Sequence, residues 1–201
     1  MESRIVGGTE VTPINKYPWI VDVMSETPEG YIYSCAGSLV ASNYVITAAH
    51  CVFNHETNQW RSPNQLLLTL GDHYLDIQFP VSEPLETRVR VSEIKGHAGY
   101  DPSSMNNDIA VLKLVSPLDL SVYTPVCLAE SSEDNSFDGN TAQVYGWGST
   151  SEGSSMSPVL MVVSVPVVSN DVCSYAMNEY ITNGKICAGG ELNKDACQVR
   201  I

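Results

Sequence analysis

An all-β fold is expected from three observations. Short runs of β-type residues recur between turn signals, at 19–24, 31–40, 44–47, 66–70, 87–94, 109–115, 141–145 and 160–165, which is the rhythm of a sandwich or barrel. No heptad or sustained 3.6-residue pattern runs through the chain. The 14 glycines and 11 prolines are dispersed, as in a globular protein with many turns. Two short helical turns complete the expectation, one after His50 and one over 169–177, where Ser169 or Asn170 can act as the N-cap.

A chain of 201 residues with 43% hydrophobic content can bury one large domain or two small packed units. No internal repeat of fixed period is present. The Ser, Asp and Gly-rich segment 131–140 is either a long surface loop or the link between two β units. The formal net charge of −13 gives the chain no electrostatic reason to seek a phosphate backbone or an anionic membrane surface. Nucleic acid and membrane are therefore excluded as expected partners. The longest apolar run, 158–168, is interrupted by Pro166 and is too short to span a bilayer.

Cysteines stand at 35, 51, 127, 173, 187 and 197, without the close Cys-x-x-Cys pairs of a zinc site. Wide spacing in a strand-rich chain suits structural disulfides and an extracellular, oxidising compartment. The opening Met1-Glu2-Ser3-Arg4 is too short and too polar for a signal peptide.

Taken in order, the first chemical element is Arg4-Ile5-Val6-Gly7-Gly8, a basic residue before two branched apolar residues and a flexible glycine pair; a strand running into a turn explains it equally well. Next, a Cys35–Cys51 bridge would close a hairpin around Val45-Ile46-Thr47 and clamp the residue beside it. Loop entropy makes such a bridge worth about 3 kcal/mol. The run 45–51 then ends in His50 at the rim of a core, partly shielded and partly wet, which suits proton transfer near neutral pH. A core histidine satisfied by one hydrogen bond is the alternative.

Asp108 follows Asn106-Asn107 and directly precedes the apolar run 109–115. A carboxylate at the mouth of a buried strand is costly unless something donates to it. Histidine can be that donor, and the bond then fixes the tautomer that leaves its other ring nitrogen as a base. An N-cap or turn aspartate is the competing explanation. Tyr145-Gly146-Trp147-Gly148 by itself indicates only packing of a tryptophan at a bend, and Asp195 by itself can be loop.

Together, IVGG, CAGSLV, VITAAHC, NNDIAVLKL, YGWG, ICAGG and DACQ, in this order from Ile5 to Gln198, resemble the trypsin and chymotrypsin-like serine proteases. The resemblance implies two Greek-key β-barrels, the first complete by about Cys127 and the second, over 128–198, lacking its last strands. Residues 5–198 would be the peptidase domain, 1–4 a remnant of an activation peptide and 199–201 a divergent end. The resemblance also implies His50 as general base, Asp108 as its orienting carboxylate, and Asp195 as the acid that pairs with substrate arginine or lysine. Arg4-Ile5 would be the zymogen cleavage site. Cys35–Cys51 and Cys173–Cys187 would be disulfides, leaving Cys127 and Cys197 unpaired. Protein or peptide substrates and protein protease inhibitors are the implied partners. No cofactor is required; calcium has a weak candidate site in Asp72, Asp76 and Glu83, for which a solvated acidic loop is the alternative.

The family continues after its Cys-Gln with Gly-Asp-Ser-Gly-Gly-Pro, whereas here the sequence reads Val199-Arg200-Ile201. Neither the nucleophilic serine nor the glycine-rich oxyanion hole is then present, and Ser38, Ser104 and Ser149 lack the neighbourhood to replace it. The expectation is an inactive fragment, splice or frameshift product, or incomplete reading, of a longer secreted zymogen, with a marginal second barrel exposing unpaired edges. The competing expectation is a non-catalytic protease homologue that binds proteins.

Overall fold

The computed structural model describes residue 5 and residues 7–28, 30–75, 83–129, 137–149 and 155–190. Its strands are β1 (Thr9–Glu10), β2 (Ile20–Thr27), β3 (Gly30–Ala41), β4 (Tyr44–Thr47), β5 (Phe53–Asn54) and β6 (Gln59–Trp60). They continue with β7 (Leu66–Leu70), β8 (Thr87–Gly96), β9 (Ala110–Leu114), β10 (Thr141–Gly146), β11 (Met161–Val168) and β12 (Cys187–Ala188). Two helices, α1 (Ala49–Val52) and α2 (Asn170–Met177), fall where helical turns are expected. The short strands β1, β5, β6 and β12 carry too few residues to leave a period in the sequence.

The chain divides into two compact units, one of Thr12–Leu128 and one of Met1–Val11 with Ala129–Ile201. In the first, β2-β3-β4-β9-β8-β7 close into a six-stranded antiparallel barrel. Alternation decides which side chains fill it, because successive residues of a strand point to opposite faces. Val21 and Val23 of β2, Leu68 and Leu70 of β7, and Ala110, Leu112 and Leu114 of β9 are all buried in one core with Leu39, Val45, Val89 and Val91. The apolar run expected over 109–115 is thus trimmed: Ile109 and Val115, just outside β9, are 44% and 64% exposed. Closure removes the free edges that a flat sheet would leave.

Gly71 begins the loop that leaves β7. Its φ of +73° is left-handed, and a Cβ there would lie 2.0 Å from the carbonyl oxygen of Leu85, so glycine alone lets the two ends of this loop meet.

In the second unit the described strands form one antiparallel sheet, β1-β11-β10, with β12 paired to the far end of β11. No closed barrel forms among its described residues. Ile5 packs with Val163 and Val165 in a small core of its own. At the start of α2, Ser169 is the cap: its hydroxyl accepts from the Val172 N–H, satisfying one of the donors that a helix start leaves open. Among the described residues no helix is long and apolar enough to cross a membrane.

Candidate active site

Strand register brings the candidate pair together. β4 and β9 are antiparallel neighbours, with Thr47 opposite Ala110. Continuing past that pair, the chain leaving β4 enters α1 and reaches His50, while the chain approaching β9 presents Asp108. The residues at 45, 47, 110 and 112 are buried, so a slip of one residue would turn the core face of these strands outward. The apolar pattern of the barrel therefore fixes the meeting of a histidine and an aspartate 58 positions apart.

Two contacts join them. The His50 backbone N–H donates to Asp108 Oδ1 at 2.8 Å, and His50 Nδ1 donates to Asp108 Oδ2 at 2.8 Å. A carboxylate only accepts, so Nδ1 carries the proton and Nε2 keeps its lone pair. The Asp108 side chain is 3% exposed against 29% for His50. The anion is therefore shielded and doubly bonded, while the imidazole keeps contact with solvent.

The turn before Asp108 is built from left-handed residues, Met105 at φ 53° and Asn107 at φ 56°. Asn107 spends its amide on the Gly99 carbonyl, 2.8 Å away, which supports an otherwise unfavoured backbone. Tyr100, which sequence reasoning did not single out, donates its hydroxyl toward Met105 Sδ at 3.4 Å. Burial first, then the Asp108 and Asp101 carboxylates, push its phenol up to about 12. Tyr100 is thus a neutral donor under the field of the Asp108 anion. Only the turn closed by the Asp101 to Asn106 bridge brings it there, and no local pattern announces that.

Cys35 and Cys51 are bridged, with Cα atoms 6.0 Å apart, which anchors α1 to β3 at the residue following His50. Cys173 and Cys187 are bridged as well and tie α2 to β12. Cys127 is exposed and free. Arg4, Asp76, Asp195 and Cys197 lie outside the described residues. Ile5 is 1% exposed, and its N–H donates to the Ser149 carbonyl at 2.6 Å.

Of the three calcium candidates, Asp72 and Glu83 are described. Glu83 is buried rather than solvated. Its Oε1 accepts from the N–H groups of His73 and Tyr74 at 2.7 and 2.8 Å, and its Oε2 is buried without a hydrogen-bond partner among the described residues. An oxygen of that kind fits a hard cation, which binds carboxylate and carbonyl oxygens.

Comparison with known proteins bears on the same residues. The family model described as Trypsin matches residues 5–199. Trypsin beta of Drosophila erecta is 36% identical over 203 residues, covering 98% of this chain and 72% of that protein. The CLIP domain-containing serine protease HP8 of Bombyx mori is 32% identical over 214 residues, covering 97% of this chain. The chain spans 55% of that relative's length. Among solved structures, "Structure of GrC" superposes with a TM-score of 0.77 at 26% identity, over 93% of this chain and 76% of that one.

Proposed function

This chain belongs to the trypsin family of serine proteases, and on that premise we propose that residues 5–198 are the peptidase domain of a secreted serine endopeptidase that cleaves proteins after arginine or lysine. One observation carries the reading: the Asp108 carboxylate, buried and accepting both from the backbone and from Nδ1 of His50, presents Nε2 as a base on a partly exposed ring. Such a base takes the proton of an attacking serine and returns it to the leaving amine, and the carboxylate stabilises the imidazolium formed between the two steps. Asp195 would receive the substrate cation through charge-assisted hydrogen bonds. Cleavage between Arg4 and Ile5 would be the activating event.

The 201-residue polypeptide itself is proposed to be inactive. Ser104 donates to Asp101 Oδ2 at 2.6 Å, a turn contact rather than a nucleophile's setting. No serine of the sequence stands in a Gly-Asp-Ser-Gly-Gly setting. Calcium, if taken up, would be held by Asp72, Asp76 and Glu83, where its role would be structural rather than catalytic. Protein protease inhibitors are the expected second class of partner.

A serine-directed fluorophosphonate should leave the 201-residue chain unlabelled. It should label, in proportion to its concentration, a chain extended through Gly-Asp-Ser-Gly-Gly-Pro and the remaining strands of the second barrel and then cleaved between Arg4 and Ile5. Stoichiometric labelling of the shorter chain would overturn the inactivity, and an unlabelled, folded and cleaved extended chain would overturn the endopeptidase reading. In the extended chain, Asp195→Ser should abolish the preference for arginine and lysine; a retained preference removes Asp195 from the substrate pocket.

A further inference from the structure

The His50 atom proposed for proton transfer has two sulfur neighbours: Nε2 lies 3.6 Å from Cys51 Sγ and 3.9 Å from Cys35 Sγ, and the three atoms lie within 4.8 Å of one another. A tetrahedral zinc ion bound at about 2.3 Å by thiolate and about 2.0–2.1 Å by imidazole sets nitrogen and sulfur about 3.6 Å apart, and two sulfurs about 3.8 Å apart. The nitrogen–sulfur distances are already close to those values. Only the sulfur–sulfur separation differs, because the two atoms share a bond.

The outer partner is in place as well. Asp108 accepts from Nδ1 at 2.8 Å, which fixes the tautomer whose Nε2 can ligate and holds the ring's orientation, as carboxylate partners do behind zinc-bound histidines. The His50 ring is partly exposed, so an ion can reach it, while Cys51 is buried and held by α1.

We propose that reductive opening of the Cys35–Cys51 bridge creates a metal site of the zinc(II) class, with His50 Nε2, Cys35 Sγ and Cys51 Sγ as ligands and water in the fourth position. Two electrons from a phosphine or dithiol reductant break the sulfur–sulfur bond. With a phosphine, water supplies the oxygen of the phosphine oxide and the two protons of the new thiols. Metal binding then releases those two protons, since thiolates are the ligands. In the oxidised chain neither sulfur is anionic and the site does not exist. The reduced state also precedes bridge formation in a newly made chain. An ion held there occupies the lone pair that the proteolytic step needs, so the metal-loaded form is a base-free form. The metal site stands whether or not the chain is a protease.

The test is cobalt(II) titration of the full chain, with the phosphine removed by anaerobic desalting and folding followed by far-ultraviolet circular dichroism. A variant with Cys127, Cys173, Cys187 and Cys197 changed to serine isolates the two sulfurs of interest. One cobalt(II) per reduced chain is expected, with a thiolate charge-transfer band and the intense visible bands of tetrahedral coordination, displaced by zinc(II) and absent from the oxidised chain. Asp108→Asn should weaken binding by about 10–100-fold, and His50→Ala by more. The wild-type chain is titrated in parallel, so that a misfolded serine variant does not decide the matter: there, equal affinity in wild type and His50→Ala overturns the proposal. So does a folded reduced chain that takes up no cobalt, or a reduced wild-type chain that unfolds with the metal present.

Discussion

Replacing Asp22 with asparagine should remove most of the pH dependence of the barrel's stability between about pH 4 and pH 8. Asp22 lies between Val21 and Val23, which face the core, so its own side chain leaves the barrel on the outer face. It is nevertheless only 3% exposed. Neither its Oδ1 nor the hydroxyl of Thr69, its neighbour across β7, has a hydrogen-bond partner among the described residues. Burial is the main reason its carboxyl is pushed up from 3.8 to about 8; Asp72 and Glu86 raise it further and Arg88 opposes them. The unfolded chain ionises near the ordinary value, while the folded chain keeps the proton until about pH 8. Between those values the unfolded state binds fewer protons, so stability is greatest at the acid end, falls as pH rises and levels off above the folded value. A shift of this size corresponds to a loss on the order of 5 kcal/mol across the window. Asparagine cannot ionise. Urea unfolding with chelator present, followed by tryptophan fluorescence and by amide exchange in β2 and β7, should show Asp22→Asn and wild type converging near pH 4. By pH 8 the variant should be several kcal/mol the more stable. Parallel pH profiles for the two proteins, or a variant less stable than wild type at pH 8, would refute the reasoning.

Three further outcomes are expected. Asp108→Asn should abolish the low-field proton resonance of His50 Nδ1–H, because an amide can offer its NH₂ to the ring and favour the other tautomer; a resonance that persists unchanged would mean that Asp108 does not hold the ring. Cys35→Ser with Cys51→Ser should lower the unfolding free energy by about 3 kcal/mol, the entropy of opening a loop of this length, and a loss under about 1 kcal/mol by denaturant titration would contradict it. Leu112→Ala, at a fully buried position whose β4 and β8 neighbours are Val45 and Ile94, should cost about 2–5 kcal/mol. An unchanged urea midpoint at unchanged slope would place Leu112 outside the core.

What could be read in the sequence was what period and turn chemistry encode. The strands Tyr44–Thr47 and Leu66–Leu70 have the bounds expected of them, since both are dense in apolar and β-branched residues between clear breakers. β11 runs on to Val168 through Pro166, beyond the expected 160–165. Proline is tolerated there because its missing donor costs only one ladder bond, and the neighbouring Val167 N–H finds the Asn140 carbonyl. The hairpin of Phe53–Asn54 and Gln59–Trp60 left no signal, since two residues per strand cannot show an alternation. Asp22 was invisible for a different reason. An acid in the outward register of a β-strand reads as solvated, and only the chain folded over that face makes it a buried one.

The pairing of His50 with Asp108 shows where such reading stops being local. Neither residue's neighbours in sequence distinguish a base from a core histidine, or its partner from a turn aspartate. The apolar faces of β4 and β9 bring the two together, by admitting one register between them, and in that register the residue three beyond Thr47 meets the residue two before Ala110. The geometry of the pair is in this sense a by-product of packing the barrel. That same packing places Cys35 and Cys51 against the other ring nitrogen, so on the proposed reading one histidine would serve proton transfer while the bridge is closed and metal binding once it is opened.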